Sequence, residues 1–191
     1  TGVQTCALPI SRHISGQSIR VAWMEGATSI SSNPVPGFGT IITDSSASAL
    51  TNGFDAISAG GPSVKYYDPA ADTWVGIAST IEKFQPGKAY MTYIRGSRAC
   101  TPTNSVAEAT VLRELDTLNV GDVAIPLGSY SSGGKFLSAG NPYASAVSLA
   151  SIVKRNLDSS FYLWDPVLPG AYGIGDYISL TRTGNMILVA P

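Results

Sequence analysis

The side chains able to do chemistry are few, and their spacing argues against most reactions. His13 is the chain's single histidine. A serine or cysteine nucleophile needs a base within hydrogen-bond reach. No Gly-x-Ser-x-Gly elbow presents a serine for attack. Cys100 has no histidine in its own stretch, so it reads as a small, partly buried thiol. His and Cys form no cluster with the spacing of a zinc or other transition-metal site. Calcium is the one cofactor alternative to none, through the oxygen-rich run Asp68-Pro69-Ala70-Ala71-Asp72. That run lacks the dense acidic spacing of an EF-hand loop, and turn capping explains it more simply.

Paired carboxylates are the remaining catalytic option. Glycoside hydrolysis needs two acids at a set separation, and Asp68, Asp72, Asp165 and Asp176 are the candidates. Asp68 and Asp165 each precede Pro in a turn, where Asp bonds back to turn amides without any catalytic role. Ser131-Ser132-Gly133-Gly134-Lys135 lacks Walker spacing and opens no helix, so it reads as a hairpin turn. Arg95 and Arg98 flank Gly96-Ser97 after an apolar run. They read as charges that end a strand at a sheet edge, in preference to an anion site.

The aromatic residues offer a binding chemistry instead. Trp23, Trp74, Trp164 and Tyr143, with Tyr66, Tyr67, Tyr90, Tyr93, Tyr162, Tyr172 and Tyr177, are flat apolar rings, many with a polar edge. Such rings suit a sugar-binding face, and they equally suit the filling between two sheets. Alternation puts Tyr90 and Thr92 on one side of a strand and Met91 and Tyr93 on the other, without saying which side is wet.

These residues must be held by a largely β framework. The chain has 191 residues, 44% of them apolar, enough to bury a core and too many for a disordered chain. Twelve Lys and Arg stand against 13 Asp and Glu, a net charge of −1, which excludes the basic footprint of a nucleic-acid binder. The longest uncharged runs, 26–43 and 136–153, contain Pro, Asn and several Ser, so no membrane-spanning segment is expected. Short β-prone runs occupy 18–24, 39–43, 63–67, 73–77, 88–95, 122–127, 161–165, 176–182 and 186–189. Turn formers separate them, among them Asn52-Gly53, Gly60-Gly61-Pro62 and Pro169-Gly170. A short helix is expected after Ser148, with Leu149, Ile152 and Val153 on one face and Asn156 as its stop. Residues 106–115 are ambiguous and are read as strand.

A loose repeat runs through the chain. Ser63-Val64-Lys65-Tyr66-Tyr67-Asp68-Pro69 resembles Ser159-Ser160-Phe161-Tyr162-Leu163-Trp164-Asp165-Pro166, an aromatic strand ending at Asp-Pro in each case. The expectation is an all-β, antiparallel, sandwich-like module with one short helix, built from two related halves, 11–104 and 105–191. The two either stand apart or close into one domain. The first copy runs on to Pro86-Gly87-Lys88-Ala89-Tyr90. The second reaches Ala190-Pro191, so it is expected to be truncated.

Two resemblances bear on origin. Residues 1–10, TGVQTCALPI, resemble a translated sequencing adapter, which implies that native sequence begins near Ser11 and that Cys6 is not native. Cys100 would then be the lone native cysteine, without an intrachain disulfide. Further on, Gly140-Asn141-Pro142-Tyr143-Ala144-Ser145 followed by Phe161-Tyr162-Leu163-Trp164-Asp165-Pro166 resembles a β-rich module of large secreted surface proteins of Bacteroidota-type bacteria. That module usually stands upstream of a type IX secretion sorting signal. Asn33-Pro34-Val35-Pro36-Gly37-Phe38-Gly39-Thr40, Gly53-Phe54-Asp55, Thr73-Trp74 and Lys88-Ala89-Tyr90-Met91 fit the same order. The resemblance implies a secreted or cell-surface location, other domains of the same polypeptide as partners, and no catalytic site. The expected function is a non-catalytic structural or adhesive module. The alternative is a glycan-binding module that holds surface polysaccharide on Trp23, Trp74, Trp164 and Tyr143, accessory to an enzyme elsewhere in the polypeptide.

Overall fold

The computed structural model describes residues 17–25, 39–45, 49–55, 61–85, 87–94, 96, 109–115, 117–128, 134–170, 175–183 and 186–190. His13, Cys6, Cys100, Arg95, Arg98, Tyr172 and 131–133 lie outside them. Among the described residues six strands make two small antiparallel sheets, with almost no helix, so the fold they form is mainly β. The first sheet holds β1 (Val64–Asp68), β2 (Thr73–Gly76) and β3 (Tyr90–Thr92) in the order β2-β1-β3. The second holds β4 (Ser160–Asp165), β5 (Asp176–Thr183) and β6 (Met186–Ala190) in that order. No helix among the described residues is long and apolar enough to cross a membrane.

Five of the nine expected strands form close to where the sequence places them, at β1, β2, β4, β5 and β6. The run 88–95 keeps only its centre, as β3. Residues 18–24 are a correction, for they form α1 (Ile19–Trp23). Ile19, Ala22 and Trp23 fall on one buried face at helical spacing, and Val21 is left half exposed. The Ser18 side chain accepts from the Val21 amide at 3.3 Å, and the amides of Ile19 and Arg20 donate to the carbonyls of Glu82 (3.0 Å) and Thr80 (2.8 Å). Those first-turn N–H groups have no partner inside the helix, so the loop at 80–82 completes it.

Residues 39–43 form no strand. Side chains take the places a partner strand would fill: Ile42 N–H donates to Asp55 Oδ2 at 3.1 Å, and Thr43 N–H to Ser63 Oγ at 3.0 Å. Backbone bonds return from Asp55 to the Ile42 carbonyl (2.7 Å) and from Ser63 to that of Thr43 (3.0 Å). Residues 122–127 also lack a ladder, and Pro126 removes a donor there. Within 109–115 only Val111 makes a bridge, and this stretch is pinned to α1 by side chains instead. Arg113 grips Glu25 through Nε at 3.1 Å and Nη2 at 2.7 Å, and the Leu115 amide donates to Gln17 Oε1 at 2.8 Å.

The helix expected after Ser148 shrinks to one 3₁₀ turn, Leu149–Ser151. Ser148 makes no side-chain cap, the turn buries nothing, and Ile152 is already extended at ψ 123°. A helix this short without a packed face cannot offset its nucleation cost.

The hydrophobic core belongs to the first half. Ile19, Trp23, Met24, Ile42, Phe54, Val64, Ile77, Phe84 and Tyr90 pack into one cluster. Phe84 lies at its centre, 4.4 Å from the Trp23 ring and 4.9 Å edge-on from Tyr90. Tyr90 and Thr92 therefore face inward, which settles the alternation left open along β3. Beyond residue 92, Leu180 is the buried apolar side chain among those described.

Candidate functional site

The repeated hairpins bring their rings together. In β1–β2, Tyr67 stands opposite Trp74 and their rings meet edge-on at 5.6 Å. In β4–β5, Trp164 stands opposite Tyr177 in the same manner at 5.0 Å. Each pair is one residue from the Asp that ends the first strand. Such cross-strand aromatic pairs add roughly 0.2–1 kcal/mol to a hairpin. Burial raises the pKa of Tyr177, and the Trp74 indole pulls it back. The result is one edge-on ring pair in each sheet, Tyr67 with Trp74 and Trp164 with Tyr177.

Polar groups finish the two pairs unevenly. Tyr67 donates its hydroxyl to the Asp72 carboxylate. That bond, with burial and the Asp72 charge behind it, pushes the Tyr67 pKa up to about 12. In the other pair, Trp164 Nε1 is buried with no hydrogen-bond partner among the described residues. Gly175 lies flat on this indole. A Cβ there would sit 2.7 Å from three ring atoms, and the φ of +117° already disfavours any other residue.

The four aromatic candidates therefore separate. Trp74 and Trp164 enter the two cross-strand ring pairs. Trp23 is a correction to the ligand-stacking set, because at 2% exposure its faces are covered by core side chains. Tyr143 is half-buried and serves as a tether, its hydroxyl donating to the Gly121 carbonyl at 2.5 Å. Around it the Gly140–Ser145 motif is a locked turn. Asn141 accepts from the Tyr143 amide at 3.0 Å and donates to the Ser145 carbonyl at 2.7 Å, and Asn119 donates to that of Pro142 at 2.7 Å. Gly140 rests against Lys88, where a Cβ would come within 2.8 Å of the carbonyl oxygen.

The carboxylates are held in the backbone. Asp68 Oδ1 accepts from Ala70 N at 2.9 Å, and Asp165 Oδ1 from Val167 N at 2.9 Å. The register sets Asp165 directly opposite Asp176, whose Oδ1 accepts from Tyr177 N at 2.8 Å. Among the described residues no three of His, Cys, Asp and Glu come together as a metal site.

Sequence reasoning missed two features. Tyr66 carries Lys88 over its face, Nζ to centroid 3.2 Å, and burial pushes the Lys88 pKa down while Glu82 and Asp68 pull it up. A cleft of about 220 Å³ lies between α1 and 113–115, lined in part by Gln17, Glu25, Arg113 and Leu115. Its charged pair is self-satisfied, with Arg113 on Glu25, and none of the expected site residues lines it. Spacing alone carries no signal for either feature, since both depend on contacts between distant segments. The chain matches no family model, no curated protein and no solved structure.

Proposed function

We propose that this chain is a non-catalytic structural or adhesive module of a large secreted, cell-surface protein, carried alongside other domains of the same polypeptide. The observation behind this reading is the use made of its polar side chains. Asp68, Asp158, Asp165, Glu82 and Asn141 each accept backbone amides in turns, and Asp55 stands in for a strand partner inside the core. Groups used in this way brace loops, which suits a spacer or presenting module. No calcium or other cofactor enters the proposal.

The same reading includes a sandwich of two related halves. Its support is the repeated hairpin, aromatic strand to Asp-Pro to aromatic strand, with an edge-on ring pair across each. The likeness runs as far as the hairpin, since β1 is central in its sheet and β4 lies at an edge.

The test is a reducing-end assay of the purified chain on neutral and acidic polysaccharides. No release is expected. Release that disappears in Asp165→Asn or Asp176→Asn overturns the non-catalytic reading. A second reading, glycan binding, is favoured by Tyr162 and Tyr177, which are 53% and 41% exposed on a strand pair.

A further inference from the structure

We infer that one face of the β4–β5 ribbon binds a neutral, equatorially hydroxylated polysaccharide of the β-1,4-glucan type. The inference rests on the glycan-binding reading and names its face and ligand class. Register and alternation place Ser160 opposite Thr181, Tyr162 opposite Ser179, and Trp164 opposite Tyr177, all six on the same side. Rings and hydroxyls thus interleave in rows about 7 Å apart along the strands. Tyr162 and Tyr177 are 53% and 41% exposed, so both rings present surface to solvent on this side.

The rings are held in place. Phe136 meets Tyr162 edge-on at 5.3 Å and 83°, and Trp164 meets Tyr177 at 5.0 Å and 79°. Rings fixed before binding lose little side-chain freedom on contact. The hydroxyls argue for a sugar over a second protein surface. Ser160 and Thr181 are half-buried and share one hydrogen bond at 3.3 Å, which leaves one hydroxyl donor and further lone pairs of the two that a dry apolar contact would not satisfy. A pyranose with equatorial hydroxyls presents a flat C–H face to a ring and hydroxyls at its rim to Ser and Thr.

Charge selects the neutral class. None of these six positions is charged, and Lys154 lies over the ring of Phe161, which points to the opposite face. None of the six positions offers an acidic polysaccharide a cation.

Native affinity electrophoresis of the full chain tests the proposal, in gels containing soluble β-1,4-glucan, polygalacturonate or no polymer. Retardation by the glucan alone is expected, at least ten-fold weaker for Tyr162→Ala and lost for Tyr162→Ala/Tyr177→Ala. Tyr143→Phe, outside the face, should migrate as the unmodified chain does. Circular dichroism of each variant separates lost binding from lost folding, and Tyr162→Phe, which keeps the ring, should restore retardation. No retardation by the glucan overturns the proposal, and retardation by polygalacturonate in its place overturns the neutral class while the glycan-binding reading stands. Retardation unchanged by Tyr162→Ala and by the double variant overturns the face and leaves glycan binding standing elsewhere. A dimer in sedimentation equilibrium that Tyr162→Ala converts to monomer makes a second copy the occupant, and also overturns it.

Discussion

Asp68 and Asp165 occupy the same place in two hairpins, 97 positions apart in the chain. Each ends an aromatic strand, each precedes Pro, and each accepts the amide two residues on at 2.9 Å. The bond makes the chain leave the sheet at a defined angle, and Pro then prevents the ladder from continuing. Replacing either Asp by Ala should cost about 0.5–1.5 kcal/mol, the usual worth of one such bond. Replacement by Asn, which still accepts, should cost less. Urea midpoints of the four variants measure this, and equal losses for Ala and Asn would show that the bond contributes nothing.

Asp165 faces a second carboxylate, Asp176, across β4–β5, where the first hairpin has Thr73 opposite Asp68. Like charges directly opposite destabilise a sheet by roughly 0.2–1 kcal/mol. Asp176→Thr should therefore raise the urea midpoint at pH 7. An unchanged midpoint would show that the facing carboxylates cost the sheet nothing.

Gly175 on the Trp164 indole allows a close approach that no side chain permits. The ring is pinned from its other neighbour by Tyr177, so it cannot swing clear. Gly175→Ala should cost about 1–3 kcal/mol through overpacking, with added strain at a positive φ. The tryptophan fluorescence should change with it. Gly121→Ala also sits at a positive φ but meets nothing within 4 Å, so it should show the backbone cost alone.

Alkaline pH should weaken the fold through Tyr67. Its folded pKa is about 12, raised by the bond to Asp72, whereas an unfolded tyrosine titrates near 10. Below pH 10 both states hold the proton and the stabilisation is complete. Between about 10 and 12 the unfolded chain releases its proton first, so stability falls as pH rises. Burial raises Tyr90 and Tyr177 in the same direction. Absorbance titration at the tyrosinate band should show late-titrating tyrosines in the folded chain, one fewer in Tyr67→Phe. All tyrosines titrating together near 10 would remove the basis of this prediction.

Much of this structure is local, and the local part was readable from residue order. β1, β2, β4, β5 and β6 are short aromatic or β-branched runs that pair with near neighbours across turns marked by Asp, Pro and Gly. Their ladders need little information from far along the chain. The repeated Asp-Pro turn could be read for the same reason.

Tertiary structure decided the rest. Residues 18–24 satisfy alternation as well as helical spacing, and the choice fell to helix because the 80–82 loop completes the first turn while Trp23 packs on Phe84. Residues 39–43 have strand character, yet Asp55 and Ser63 took the partner positions from more than ten residues away. Trp23 and Trp74 are the same residue type in similar company, and nothing in their neighbours tells which is covered. One is closed into the core and the other stands in a cross-strand pair with Tyr67, because burial is a property of what distant segments bring to a side chain. The spacing of candidate carboxylates was equally unreadable, since only the β4–β5 register sets Asp165 against Asp176. Composition and order determined a mainly β chain with two Asp-Pro hairpins, whereas contacts between distant segments decided which rings face water.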